Sequence, residues 1–82
     1  MIKTKYLNTM STLILHDDDT NSSLKIKVAL ISICEYEPNA ALQCILIAEG
    51  RGKVNIKEGD FIELFALQNE FEELNINTEL IA

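Results

Sequence analysis

The chain has 82 residues, enough for one domain and too few for two. Its formal net charge of −6 disfavours binding to nucleic acids and to anionic membrane surfaces, and it favours a basic protein partner. The sequence has no secretory signal and no apolar run long enough to cross a bilayer, so it predicts a cytoplasmic protein whose two cysteines are reduced.

The first part of the chain predicts an arm, a strand and a turn. Residues 1–11 are expected to form a short mobile arm, and residues 12–82 are expected to form one domain. The β-type run from Thr12 to Leu15 indicates a buried central strand. The residues from Asp17 to Ser23 are a dense cluster of turn and cap types, so a turn should follow this strand.

The segment from Ser23 to Glu35 fits two kinds of secondary structure. Its residues Leu24, Ile26 and Val28 alternate with lysines, which is a strand pattern. The same segment also has apolar residues three and four positions apart, as on one face of a helix. Because the segment is longer than a usual strand and is preceded by residues that cap helices, we expect a helix.

A second helix is predicted from Pro38 to Glu49. Pro38 suits a first helical turn, where its missing N–H costs nothing. Gly50 occupies the position expected for a left-handed C-terminal cap. The Ala-, Leu- and Ile-rich composition between these two residues indicates a helix that is buried on most sides.

Two strands and a third helix are predicted for the rest of the chain. The alternating segment Lys53–Lys57 indicates a short strand, and residues 78–81 indicate a last one. Between them, Asp60 and Glu63 resemble a capping box. The helix that follows has an expected apolar face of Phe61, Leu64, Phe65, Phe71 and Leu74. The order β-α-α-β-α-β predicts an α+β fold, a three-stranded sheet with helices packed on one face.

The turn after the first strand has the sequence His16-Asp17-Asp18-Asp19-Thr20 and contains the only histidine of the chain. Three interpretations are open: a structural turn whose aspartates accept hydrogen bonds from turn amides, a ligand-binding corner, and a metal site. A metal site is the weakest of the three, because consecutive residues cannot all point at one ion. We expect no metal and no cofactor.

No arrangement typical of an enzyme is evident in the sequence. Ser22 and Ser23 lack the Gly-x-Ser-x-Gly elbow of a hydrolase. Cys34 and Cys44 lie on separate predicted helices, without a Cys-x-x-Cys motif, and are expected to fill the core. We therefore predict a protein without catalytic activity.

Several of these segments occur in the same order in a known family. They are the first strand with its Asp-Asp-x-Thr-like corner, the acidic start of the second helix at residues 35–41, the Gly50-Arg51-Gly52 turn, and the strand, turn and helix from Val54 to Leu74. Residues 12–82 thereby resemble ClpS, the adaptor of the ClpA-type protease machine. The resemblance implies a ClpS-like fold, whose element order the C-terminal domain of the ribosomal stalk protein shares.

The resemblance also implies a binding site. ClpS-like proteins bind a protein N-terminus whose first side chain is large and apolar, which requires acceptors for the ammonium group and a dry pocket for the side chain. Carried over to this chain, the ammonium acceptors are His16 and Asp18, with Asp17 beside them, and Thr20 braces the turn. Cys44 and Ile47 then line the pocket for the side chain, and Leu80 closes one of its walls. The family's machine-facing surface falls at Asp60 and Glu63.

Two hypotheses for the function follow. The first is an adaptor or regulator of proteolysis that binds an AAA+ Clp unfoldase, an N-terminal degron, or both. The second is a stand-alone acidic interaction protein, of phage or mobile-element origin, that binds or inhibits a host protein. The short arm, the strong acidity and the absence of the family's histidine late in the second helix, which falls at Ile47 or Ala48, motivate the second hypothesis. An apolar pocket position of the family also falls at Lys25.

Overall fold

The central feature of the fold is a sheet of three antiparallel strands. In the computed structural model, which describes residues 10–82, these strands are β1 (Ser11–His16), β2 (Lys53–Gly59) and β3 (Thr78–Ile81). β1 pairs with both of the others, so the strand order is β2–β1–β3. Most of the predicted arm lies outside the described residues, and Ser11 already belongs to β1.

Three helices complete the fold: α1 (Ser23–Cys34), α2 (Pro38–Arg51) and α3 (Phe61–Glu73). The element order is β-α-α-β-α-β, and the helices pack on one face of the sheet, which confirms the predicted α+β architecture. The core between the two layers is small, as expected for a chain of this length. Its largest fully buried apolar side chains are Phe71, Leu13, Leu15, Leu30, Leu64 and Ile76.

The helix predicted after the Asp-rich turn is confirmed as α1. Its N-cap is Ser22, whose hydroxyl accepts a hydrogen bond from the Lys25 N–H at 3.1 Å. This cap satisfies one of the free amides of the first turn and favours the helix over the strand that the alternation also permits. α1 ends at Cys34, and the C-cap residue Glu35 adopts a left-handed conformation with φ of 61°.

The end and the burial of α2 differ from the prediction. The helix continues through Gly50, and the left-handed residue that ends it is Gly52, with φ of 91° and an N–H that donates to the Ala48 carbonyl. The predicted burial on most sides is wrong. Only Ala41, Ile45 and Ala48 are buried, because the sheet and α1 cover one face of α2 and leave three large apolar residues exposed: Leu42, Leu46 and Ile47.

The start and the apolar face of α3 also differ from the prediction. Asp60 is the N-cap residue, but its side chain makes no capping hydrogen bond, so the predicted capping box does not form. Leu64 and Phe71 are buried as expected. Phe61, Phe65 and Leu74 are exposed, because only a narrow side of this helix faces the sheet.

Among residues 10–82, no helix combines the length and the apolar character that a membrane crossing requires.

The two glycines at the end of α2 allow a matched stability test. Gly52 requires a left-handed backbone, whereas Gly50 is helical, and neither has an atom within 4 Å of an added methyl group. We expect Gly52→Ala to lower the free energy of unfolding by about 1 kcal/mol because of backbone strain. Gly50→Ala should raise it by roughly 0.5–1 kcal/mol, because alanine favours a helix. Urea denaturation measures the free energy of unfolding of each variant. Equal changes in this free energy for the two substitutions would contradict the assigned end of α2.

Candidate functional site

A cavity of about 270 Å³ opens between the β1–α1 turn and α2. The end of β1, the turn, the start of α1 and the second half of α2 each contribute to its lining. The lining residues are Leu15, His16, Asp17, Asp18, Asp19, Asn21, Ser23, Ile26, Ile45, Ala48 and Glu49. The Asp-rich corner therefore lies beside a slot, and the turn itself forms one wall of it.

The floor of the cavity is apolar and its rim is acidic. The floor consists of Leu15, Ile26, Ile45 and Ala48, all of which are buried. The side chains of Asp17, Asp19 and Glu49 are exposed at the rim. Such an arrangement can accommodate an apolar group below and a cationic group above.

The Asp18 carboxylate organises the turn. Its Oδ1 accepts hydrogen bonds from the Thr20 N–H at 2.7 Å and from the Thr20 hydroxyl at 2.6 Å. Its Oδ2 accepts a hydrogen bond from Asn21 Nδ2 at 2.6 Å. The hydrogen bonds from the side chain and the backbone of Thr20, followed by the one from Asn21, hold the pKa of Asp18 below its ordinary value of 3.8. Thr20 thus donates two hydrogen bonds within the turn.

Asn21 connects this turn to a distant part of the chain. Its Nδ2 also donates to the carbonyl of Asn75 at 2.8 Å, in the connection between α3 and β3. Its Oδ1 accepts from Lys25 Nζ at 2.6 Å. A second connection joins the Asp17 N–H to the carbonyl of Gly52 at 2.8 Å, at the end of α2. Hydrogen bonds therefore join this wall of the cavity to the α3–β3 connection and to the end of α2.

The side chain of His16 lies on the other face of the sheet. Successive residues of a strand point to opposite faces, so His16 points away from the side on which Leu15 is buried. Its Nε2 lies 2.7 Å from Glu79 Oε1 on β3, and both side chains are partly exposed. His16 lines the cavity where β1 ends. Its imidazole, however, contacts Glu79 and not the cavity floor.

Three residues that the resemblance assigns to the pocket do not line this cavity. Cys44 is half-buried and packs against the main core. Ile47 lines a different hollow, on the β2 side of α2, together with Arg51 and Val54. Leu80 pairs with Leu13 in the sheet, two residues farther from the corner than the Leu15–Thr78 pair.

Asp60 and Glu63 lie at the opposite end of the sheet. Because β2 is antiparallel to β1, Gly59 pairs with Ser11, whereas Lys53 pairs with His16 at the corner. Ser11 and His16 are five residue steps apart along β1, a distance of about 17 Å. Asp60 and Glu63 are exposed at the start of α3. The two predicted surfaces are thus separate and can be tested separately.

Several residues that line the cavity were not predicted from the sequence. Ile45, Ala48 and Glu49 are spaced three and four positions apart, so helical periodicity places them on one side of α2. Helical periodicity alone does not show which side of α2 faces the Asp-rich corner. Asn21 and Asn75 carry a weak signal, since asparagine favours turns and tolerates the left-handed conformation that Asn75 adopts with φ of 61°.

The described residues were also compared with the arrangements that metal ions and reactive thiols require. No group of three His, Cys, Asp or Glu side chains arranged to hold a metal occurs in the described part of the chain. Cys34 and Cys44 are free thiols. Burial raises the pKa of the Cys34 thiol to about 11, which disfavours the reactive thiolate.

Comparisons with known proteins identify the fold. No protein-family model matches the chain, and no curated protein matches it. Among solved structures, it is similar to Agrobacterium tumefaciens ClpS2 bound to L-phenylalaninamide, with a TM-score of 0.69 and 13% sequence identity. The similarity covers 87% of this chain and 95% of that one. The chain therefore has a ClpS-like fold.

The Asp18 hydrogen bonds predict a pH-dependent stability. Because the folded-state pKa is lowered, ionised Asp18 stabilises the fold fully above its ordinary pKa of 3.8, and this contribution is lost as the pH falls through the folded-state value. Asp18→Asn should be less stable than the wild type at neutral pH, and the difference should shrink on acidification. Chemical denaturation between about pH 6 and pH 3 measures this difference in the free energy of unfolding.

Asp19→Asn is the matched control for this experiment. Asp19 has the same charge and lies in the same turn, but it is exposed and is not an acceptor for Thr20 or Asn21. Its variant should follow the wild type at every pH. If the free energies of unfolding of Asp18→Asn and the wild type differed by the same amount at every pH, the proposed role of the Asp18 carboxylate would be refuted.

Proposed function

We propose that the chain is a non-enzymatic, cytoplasmic adaptor that binds the free N-terminus of another protein in the cavity at the β1–α1 corner. The observation that carries this proposal is the combination of an apolar floor with an acidic rim in a cavity of about 270 Å³. This volume lies just below the range of small-molecule sites, so it suits one large side chain with its ammonium group.

The chemistry of the solved ClpS2 complex supports this ligand class. Its ligand, L-phenylalaninamide, has a free ammonium group and a large apolar side chain. In this chain, the apolar side chain would contact Leu15, Ile26 and Ile45, and the ammonium group would lie at the rim. Burial of the side chain supplies the affinity, and the charge-assisted hydrogen bonds restrict binding to free N-termini.

The hydrogen bonds of Asp18 modify the roles that the resemblance implies. Asp18 already accepts three hydrogen bonds, which leaves its carboxylate little capacity for an ammonium group. We therefore assign Asp18 and Thr20 to positioning the turn. Asp17 and Glu49, both exposed at the rim, are the acceptors we propose for the ammonium group.

Isothermal titration with short peptides tests this site. Peptides that begin with Leu, Phe, Trp or Tyr should bind, and their N-acetylated counterparts should not, because acetylation removes the ammonium charge. Asp17→Asn should weaken binding about fivefold, the effect expected for an exposed charge-assisted contact. Asp60→Asn changes the charge equally at the other end of the sheet and should bind as the wild type does. Heat no greater than that of the acetylated peptides would refute the proposal.

We assign the second surface, Asp60 and Glu63, to contact with an AAA+ Clp unfoldase. Both carboxylates are exposed and lie far from the cavity, so an unfoldase and a degron could bind simultaneously. Glu63→Lys should weaken binding to a ClpA-type unfoldase about tenfold, because it reverses a charge at the contact. Glu73→Lys makes the same change at the other end of α3 and should have no effect. Equal binding by both variants would exclude this surface.

The second hypothesis is an acidic protein that binds or inhibits another host protein, and we propose an apolar hollow as an additional contact surface for it. A hollow of about 460 Å³ on the outer side of α1 is lined by Leu24, Val28 and Leu74. This surface is apolar and separate from the corner cavity. Affinity capture from a bacterial lysate distinguishes the hypotheses: recovery of an unfoldase supports the adaptor, and recovery of an unrelated protein with no unfoldase supports the alternative.

A further inference from the structure

The hollow beside Ile47 lies between the end of α2 and the start of β2 and has a volume of about 410 Å³. Its lining residues are Ile47, Arg51, Lys53, Val54 and Asn55, and we call them the edge hollow. Ile47 is 41% exposed and Val54 is partly exposed. The edge hollow therefore has an apolar floor that residues 10–82 leave open to solvent.

Two cationic side chains border the edge hollow, although the chain as a whole has a net charge of −6. Arg51 and Lys53 are both exposed, and no carboxylate belongs to the lining. Within residues 10–82, neither side chain lies within salt-bridge distance of a carboxylate. A group that fits the edge hollow should therefore combine apolar and acidic side chains.

The backbone of β2 presents hydrogen-bonding groups at the edge hollow. β2 is an edge strand, because the strand order of the sheet is β2–β1–β3. The Asp17 N–H donates to the Gly52 carbonyl, and hydrogen-bonded pairs of residues alternate with non-bonded pairs along antiparallel strands. The backbone N–H and C=O groups of Lys53 and Asn55 therefore point away from β1, toward the open edge of the sheet.

We propose that the edge hollow binds an extended segment of a partner protein, in which apolar and acidic side chains alternate, as an additional strand beside β2. The main chain of this segment hydrogen-bonds to Lys53 and Asn55. Successive side chains of a strand point to opposite faces, so the apolar ones pack on Ile47 and Val54, on the face that carries the helices. The acidic ones lie on the other face, beside the Lys53 ammonium group.

The lining favours this occupant over a free anion and over a second copy of the chain. A free anion would contact the cationic side chains but would leave the apolar floor in water. A symmetric pairing of two β2 edges would bring Arg51 and Lys53 of both copies together. The net charge of −6 also opposes self-association.

The added strand is short and separate from the corner cavity. Farther along β2, the Ile56 carbonyl accepts a hydrogen bond from the Tyr36 hydroxyl, so the open stretch runs from Lys53 to Asn55. An extended segment of about five residues, roughly 17 Å long, covers this stretch. The edge hollow and the corner cavity share no lining residue, so this inference does not depend on the proposed function.

Hydrogen–deuterium exchange in the full chain tests the added strand with the peptide acetyl-Val-Glu-Val-Glu-Val-amide. Its acetyl group removes the ammonium charge that the corner cavity is proposed to bind. At saturation, the peptide should slow exchange of the Lys53 and Asn55 amides roughly tenfold, because both N–H groups become hydrogen-bonded. The same peptide with lysine in place of glutamate should not slow it.

Three results of this experiment would overturn the proposal. The first is unchanged exchange of both amides at millimolar peptide. The second is equal protection by the glutamate and the lysine peptides, which would refute the charge complementarity. The third is protection that appears without peptide and grows with protein concentration, because a second copy would then occupy the edge hollow.

Matched variants locate the binding of the glutamate peptide. Ile47→Ser should weaken it roughly fivefold, because an apolar contact is lost. Leu42→Ser removes a similarly exposed apolar side chain from the same helix, outside the edge hollow, and should have no effect. Lys53→Glu should weaken binding about tenfold, because it reverses a charge at the contact. Lys27→Glu makes the same change on α1 and should bind as the wild type does. Unchanged affinity in Ile47→Ser and Lys53→Glu would refute the site.

A proline variant tests the backbone contact. Asn55→Pro removes an N–H that points to the open edge, a position at which edge strands accept proline. It should weaken peptide binding roughly fivefold through the lost hydrogen bond, whereas Asn55→Ala keeps the N–H and should bind as the wild type does. Urea denaturation checks that both variants are folded, and the exchange experiment decides if the proline variant is not. Equal binding by two folded variants would refute the addition of a strand.

Discussion

The Asp18 carboxylate is the acceptor on which the candidate site depends. It receives three hydrogen bonds from Thr20 and Asn21, and Asn21 in turn binds the carbonyl of Asn75. A turn of mostly exposed polar residues would otherwise be held only at its two ends. With these bonds it becomes a fixed wall, and the space between it and α2 remains open as a cavity. The Asp18 carboxylate is therefore engaged within the turn, and the function proposed above assigns the ligand contacts to its exposed neighbours.

The sequence predicted the elements well where a local cause determines them. Ser22 caps α1, and this local hydrogen bond decides between a helix and the strand that alternation also permits. The order of the elements was also predicted correctly, whereas the antiparallel pairing of the strands was not predicted. The end of α2 was misplaced because Gly50 and Gly52 are equally compatible with a cap, and only the path of the following strand selects Gly52.

Which apolar residues are buried could not be predicted, because their burial depends on how the helices pack against the sheet and against each other. α2 and α3 are both rich in apolar residues, yet each contacts the rest of the molecule on a narrow side, so Leu46 and Phe65 are exposed. The same limit applies to the candidate site. The sequence indicated the Asp-rich corner, but which side of α2 faces it is a tertiary property. Cys44 and Ile47 were taken from the resemblance, whereas the structure places Ile45 and Ala48 at the cavity.

The irregular pairing between β1 and β2 has a consequence for how this fold can change during evolution. The register shifts between Leu13 and Ile14, where Lys57 and Asn55 are successive partners and Ile56 is the additional residue, with its side chain buried. Loss of one residue from β2 would remove this bulge and turn the side chains of one half of the strand to the opposite face. Insertions and deletions should therefore be tolerated in the loops of related chains but not within this strand, so its length should vary less than its composition.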